Sequence, residues 1–117
     1  LWAAVQWAWT MRLENRALAP ADREQLRQAL DRADLLAEGR GPELSPPILN
    51  YIRGELHYFL AEYEEALPFL EAVYNRDDFR SELADTLFPA LAAALVYAGR
   101  AEEAKRLTRK GEITPRR

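Results

Sequence analysis

The sequence predicts an all-α fold, a right-handed α-α superhelix of about six helices in three antiparallel pairs, and three observations carry that expectation. Alanine (20) and leucine (18) supply almost a third of the 117 residues, whereas valine, isoleucine and threonine together supply 10. Strands draw on β-branched residues, so this balance disfavours a sheet. Apolar residues recur at helical spacing along most of the chain, and glycine and proline cut the pattern into six stretches. The length fits one domain spanning 1–117. Such a chain buries about two-thirds of its unfolded surface, enough for a real core.

The first helix is expected over 2–18, with Trp2, Val5, Trp9 and Leu13 on one face and Ala19-Pro20 closing it. Its opening run, Leu1 to Met11, is about half the ~20 apolar residues a membrane span needs. It also lacks the basic start of a signal peptide, so it reads as a buried helix. The chain does not begin with methionine, which suits a processed protein or a segment of a longer one. The second helix starts near Asp22, read as its cap with Gln25 reaching back. Leu26, Ala29, Leu30, Ala33 and Leu36 form its stripe, and Gly39 stops it. Residues 39–47 (GRGPELSPP) are a loop.

The third helix begins at Pro47, a residue suited to a first turn, and sets Leu49, Ile52, Leu56, Phe59 and Leu60 on one side. A break at Ala61-Glu62 leads to a fourth helix, whose stripe runs from Tyr63 through Ala66, Leu67 and Leu70 to Val73. Arg76-Asp77-Asp78 turns the chain into a fifth helix that stops at Gly99. Pro68 and Pro89 fall inside the fourth and fifth helices, where an interior proline costs about 3 kcal/mol. The fifth is expected as one helix bent at Pro89. The sixth runs over 101–110, and 111–117 is expected to fray.

The chain also repeats itself. Gly54-Glu-Leu-His-Tyr-Phe-Leu-Ala-Glu-Tyr-Glu-Glu-Ala66 is echoed by Ala92-Ala-Ala-Leu-Val-Tyr-Ala-Gly-Arg-Ala-Glu-Glu-Ala104, a period of 38. Gly54, His57, Tyr63, Ala66 and Val73, and then Leu91, Ala92, Leu95, Gly99, Ala104 and Leu107, fill one set of slots. This pattern resembles the tetratricopeptide repeat, a helix–turn–helix unit that stacks into a solenoid. The repeats fall at about 1–38, 47–75 and 79–110, the first matching by architecture alone. Arg53 departs from the family by standing where a large apolar residue is usual, and His57 by standing where an aromatic is usual. About three such units are needed for a stable stack.

Composition removes several kinds of chemistry. The chain has no cysteine and a single histidine, His57, so thiolate or histidine metal centres and thiol nucleophiles are not expected. His57 reads as a packed histidine between helices. Glu64-Glu65, Asp77-Asp78 and Glu102-Glu103 are sequence neighbours that do not face each other on a helix, so they read as solvated surface. No glycine-rich phosphate loop occurs. A net charge of −3 gives no nucleic-acid footprint. The expectation is a protein that is not an enzyme and carries no cofactor.

The resemblance implies that the first helix of each repeat lines a concave groove. Mapped onto this chain, the partner-binding residues would be Trp7 and Thr10, then Tyr51, Glu55 and Tyr58, then Ala93 and Val96, with Ala3 and Pro89 beside them. That surface lacks the lysine, arginine and asparagine of repeats that clamp C-terminal carboxylates, so an apolar peptide or helix is the expected ligand. Self-association is a further expectation. Trp7, Tyr51 and Tyr58 should then be partly exposed. The alternative is a regulatory helical-repeat segment of a larger bacterial protein, a transcriptional activator or a signalling ATPase. Arginine outnumbers lysine 14 to 2, which suits a GC-rich bacterial genome, and the expected compartment is the cytoplasm, with the periplasm as the alternative.

Overall fold

A computed structural model describes residues 2–76 and 84–113. Among the described residues there are six helices and no strand: α1 (Trp2–Leu13), α2 (Pro20–Leu36), α3 (Pro47–Phe59), α4 (Tyr63–Tyr74), α5 (Ala84–Tyr97) and α6 (Ala101–Ile113). The protein is all-α, as its composition predicts.

Four of the helices end in the same way. After α1, Arg16 N–H donates to the Met11 carbonyl at 2.9 Å and Asn15 N–H to Arg12 at 3.0 Å, with Asn15 in the left-handed region. This is a Schellman close. It repeats at Glu38, at Ala61 and at Gly99, each with positive φ. Only the last uses glycine, the residue that adopts this conformation freely. Asn15 therefore ends α1 five residues before the expected 18. α2 begins at Pro20, and Asp22 reaches back to accept from Ala19 N–H at 2.9 Å, so it braces the cap from inside the first turn. α6 continues through Gly111 to Ile113, beyond the expected end at 110.

Pro68 and Pro89 each lie sixth in their helix, so each removes only a bond near the helix start. α5 runs through Pro89 as one helix over Ala84–Tyr97; the expected start of this helix at about 79 lies outside the described residues.

α3 is the hub, packed against α1, α2, α4 and α5. It is buried almost all round, from Asn50 to Leu56 and again from Tyr58 to Phe59. The expected single stripe is thus too narrow: a helix surrounded by others buries every face. α3 and α4 form a hairpin across 60–62. At its closest approach a Cβ on Gly54 would lie 2.6 Å from Leu70 Cδ2 and 3.3 Å from the Leu70 backbone nitrogen. α5 and α6 form the second hairpin, and α4 packs on α5. Ala66 and Ala104, the small-residue slots, are buried at these contacts.

The first two helices behave differently. Each packs on α3, and they scarcely meet each other, so the expected first pair is not a hairpin like the others. α1 buries Val5, Ala8 and Met11 rather than the Trp2, Val5, Trp9 and Leu13 stripe; Leu13 is 81% exposed. A helix that is apolar on every side gives no unique face to read. On α2 the stripe continues to Ala37, four residues beyond Ala33, and leaves Leu36 exposed.

Candidate functional site: a groove on the central helix

Burying α3 on every side forces its polar residues inward, and each needs a partner. Asn50 donates from Nδ2 to the Pro42 carbonyl at 2.9 Å, holding the loop before α3. Arg53 donates from Nε to Asp34 Oδ1 of α2 and from Nη1 to the Arg40 carbonyl, both at 2.8 Å. Its guanidinium also lies over the Phe69 ring, 4.3 Å from the centroid. This buried cation thus has a carboxylate, a carbonyl and a ring as partners. His57 stacks on Phe69 and bonds Glu62 through Nδ1 at 2.8 Å, a packed histidine between helices. Arg27 clasps the same Glu62 with both terminal nitrogens and holds its carboxyl below the usual carboxylate range.

Glu55 has no such partner. Its side chain is fully buried where α1, α3 and α5 meet, and neither carboxyl oxygen meets hydrogen-bond geometry. The indole nitrogen of Trp9 on α1 is likewise buried without a bond. Burial pushes the Glu55 carboxyl up to about 8; Tyr51, Trp9 and Thr86, with Arg12, oppose that rise without cancelling it. The carboxyl therefore holds its proton at neutral pH and can both donate and accept. Tyr51 bonds Thr86 of α5, hydroxyl to hydroxyl, at 2.5 Å, and burial raises its phenol above the usual range.

Aromatic rings wall this place. Trp2 tilts against Tyr51 with centroids 5.5 Å apart, Trp9 stacks on Tyr58 at 6.1 Å, and Trp9 meets Phe59 edge-on at 5.1 Å. Arg12 donates to the Tyr58 hydroxyl and spreads over the Tyr58 and Phe59 rings at 4.8 and 4.9 Å. α1 thus lies in a groove whose floor is Tyr51, Glu55 and Tyr58.

The expectation that Tyr51, Glu55 and Tyr58 are accessible is corrected: they are 2%, 0% and 7% exposed, because α1 covers them. Trp7 is half-buried against the core and Thr10 is exposed, its hydroxyl bonded back to the Gln6 carbonyl. On α5, Ala93 is half-buried and Val96 is more than half exposed. The structure therefore brings together the three α3 residues and leaves Thr10 and Val96 at the surface. Trp9, Arg12 and Thr86 were missed. An indole and a guanidinium three residues apart on one helix are visible in the sequence, but the buried acid that makes the spacing meaningful sits 43 residues away, on another helix.

Among the described residues, no three His, Asp or Glu side chains converge as a metal site, and no helix is long and apolar enough to cross a membrane. A second, open cleft of about 280 Å³ lies between α4, α5 and α6, lined by Tyr74, Leu91, Leu95, Arg100 and Leu107. Arg100 is already committed there to Glu71, at 2.9 Å, and to Glu103. No family model matches the chain, and neither a curated protein nor a solved structure matches it.

Proposed function

We propose that the chain is a non-enzymatic, tetratricopeptide-like interaction module whose α3 groove takes an apolar helix. The observation that supports this reading most is α1 itself. A helix with little attachment to α2 is laid along α3 through aromatic contacts, as a ligand helix would be. The groove is aromatic-walled, a surface suited to anchoring residues. The two hairpins, with small residues at their close contacts, suit a stack that presents such a groove.

A peptide of residues 2–13 added in trans tests the proposal. In the intact chain it must compete with the tethered α1, whose effective concentration is on the order of 1 mM. Trp9→Ala in the chain weakens that competitor, so the variant should half-saturate at roughly ten-fold lower peptide than the parent, read by fluorescence anisotropy. No saturable binding to either protein at about 1 mM peptide would sink the proposal.

A second reading has its own support. Leu35, Leu36 and Leu44 are 77%, 63% and 69% exposed on the α2 side, a surface that a neighbouring segment of a larger regulatory protein would cover. Fusion to such a segment should bury these leucines, and their accessibility to oxidative footprinting decides it.

A further inference from the structure

We infer that the helix this groove takes in trans is α1 of a second copy, so that two chains exchange α1 and join at the end where its connector leaves. The inference rests on the reading of the groove as a helix-docking site and names its occupant. It starts from where α1 is held. The ring contacts of Trp2 and Trp9 and the Arg12 bond all fall on α3, while α1 scarcely meets α2, the helix that follows it in the chain. A second copy offers the same α3 residues, so an exchanged α1 keeps each of these contacts.

The connector permits the exchange. Residues 14–19 lie at the surface with only Leu18 half-buried, and Asn15, in the left-handed region, closes α1. Extended, these six residues reach about 20 Å, enough to carry α1 to a neighbour without disturbing the α3 hub. The tether holds α1 at an effective concentration on the order of 1 mM, so contacts that are alike in both forms would balance them near that chain concentration.

A patch of exposed apolar side chains shifts the balance toward the pair. Trp2 lies on Tyr51 and Trp9 on Tyr58, so α1 and α3 run the same way and end together. Arg23, in the first turn of α2, donates to the Leu60 carbonyl, which puts the connector at that end too. There Leu13, Val96 and Tyr97 are each more than half exposed. They continue the docking interface. Leu13 is one turn beyond Trp9 on the same face, and rings run from Trp9 through Tyr58 and Tyr63 to Tyr97, the last two stacked at 4.1 Å. In an exchanged pair the two connectors cross here, beside the two-fold axis, so the patch meets its own copy and is covered. Glu14 pairs with Arg16 on the connector, so like charge does not hold the copies apart.

The test uses the full chain with Trp2 replaced by p-benzoylphenylalanine, a photo-cross-linker set against Tyr51 of α3. Natural-abundance and heavy-nitrogen chains are mixed in equal amounts, unfolded in urea and refolded together at about 1 mM and at about 1 μM. Sedimentation should show a dimer with a midpoint about ten-fold below 1 mM. At the higher concentration about half of the α1–α3 cross-links should join a light segment to a heavy one, the statistical share for exchanged pairs. At the lower they should be at least ten-fold rarer. Leu13→Asp should weaken the dimer about ten-fold and leave the melting temperature of the dilute chain unchanged, because Leu13 is exposed in the monomer. A chain still monomeric at about 1 mM, or a dimer whose cross-links stay within one isotope, overturns the exchange. Mixed cross-links that Leu13→Asp does not reduce overturn the joining surface. The groove reading is judged separately, by binding of the 2–13 peptide to the Trp9→Ala chain: binding there without exchange here overturns only the second copy as occupant.

Discussion

Arg53 and Glu55 are two residues apart on α3, so they point about 200° apart around the helix. One faces α2 and the other faces the meeting of α1 and α5. Both are buried ionisable groups in slots that packing alone would fill with apolar side chains. Arg53 meets a carboxylate, a carbonyl and an aromatic face, and the pair with Asp34 fastens α2 to the hub. Neither oxygen of Glu55 makes a hydrogen bond of good geometry, although the Tyr51 and Thr86 hydroxyls and the Trp9 indole all act on the carboxyl. The lesson is that burial of an ionisable group has two outcomes. Where partners are at hand the charge is kept and ties elements together; where they are poorly placed the group gives up its charge instead.

The largest effect expected from breaking this comparison is at Arg53. Arg53→Met keeps much of the volume but removes the bonds to Asp34 and Arg40. Asp34 is 43% exposed and can rehydrate, so the loss should be about 2–3 kcal/mol in urea denaturation, below that of a fully buried pair. A loss under about 0.5 kcal/mol would mean that the pair is decoration and the contrast with Glu55 false.

Next, when taken per pH unit, is the pH response of Glu55. Its folded pKa is raised, so between about 4.5 and about 8 the unfolded state releases the proton while the folded state keeps it. The unfolded state binds fewer protons, and stability falls as pH rises through that window, by at most about 1.4 kcal/mol per unit. Glu55→Gln removes the titration. Parent and variant should therefore diverge steadily from pH 5 to pH 8, the variant losing less, when their melting temperatures are compared across about that range. Parallel curves would show that Glu55 is hydrated and ionised in the folded protein.

The smallest effect sharpens the comparison from outside. Glu62 is partly exposed, and its pKa is lowered, first by its bonds with Arg27. Its contribution is present above the usual carboxylate pKa and lost as pH falls through the lowered one. Glu62→Gln should cost under about 1 kcal/mol at neutral pH and nothing in strong acid, measured by denaturant titration. A cost as large as that of Arg53→Met would erase the distinction between buried and half-exposed pairs.

Much of the architecture is legible in the sequence. Pro47 marks the start of α3, and the echo between 54–66 and 92–104 marks both hairpins, because small residues at helix contacts leave a periodic trace. The helix ends were harder. Asn15, Glu38 and Ala61 adopt the left-handed conformation that sequence reading assigns to glycine, and only the surrounding bonds reveal why they do so. Tyr51, Glu55 and Tyr58 were placed on one face of α3 by their register, but their exposure was misjudged. Register gives the face of a helix and says nothing about what lies on it.

The sequence by itself therefore determined the all-α class, the six stretches and the small-residue contacts of α3 with α4 and α5 with α6, since these depend on local propensity and on periodicity within tens of residues. Only the tertiary structure decided where α1 goes. Its residues are apolar on nearly every side, so no stripe specifies a partner, and α2 and α3 would each offer it an apolar face. The contacts that hold α1 on α3 are assembled from distant positions: rings for Trp2 and Trp9 to pack on, and a hydroxyl and two ring faces for Arg12. The buried carboxyl beside them exists only once the hub is enclosed, because until then Glu55 is hydrated.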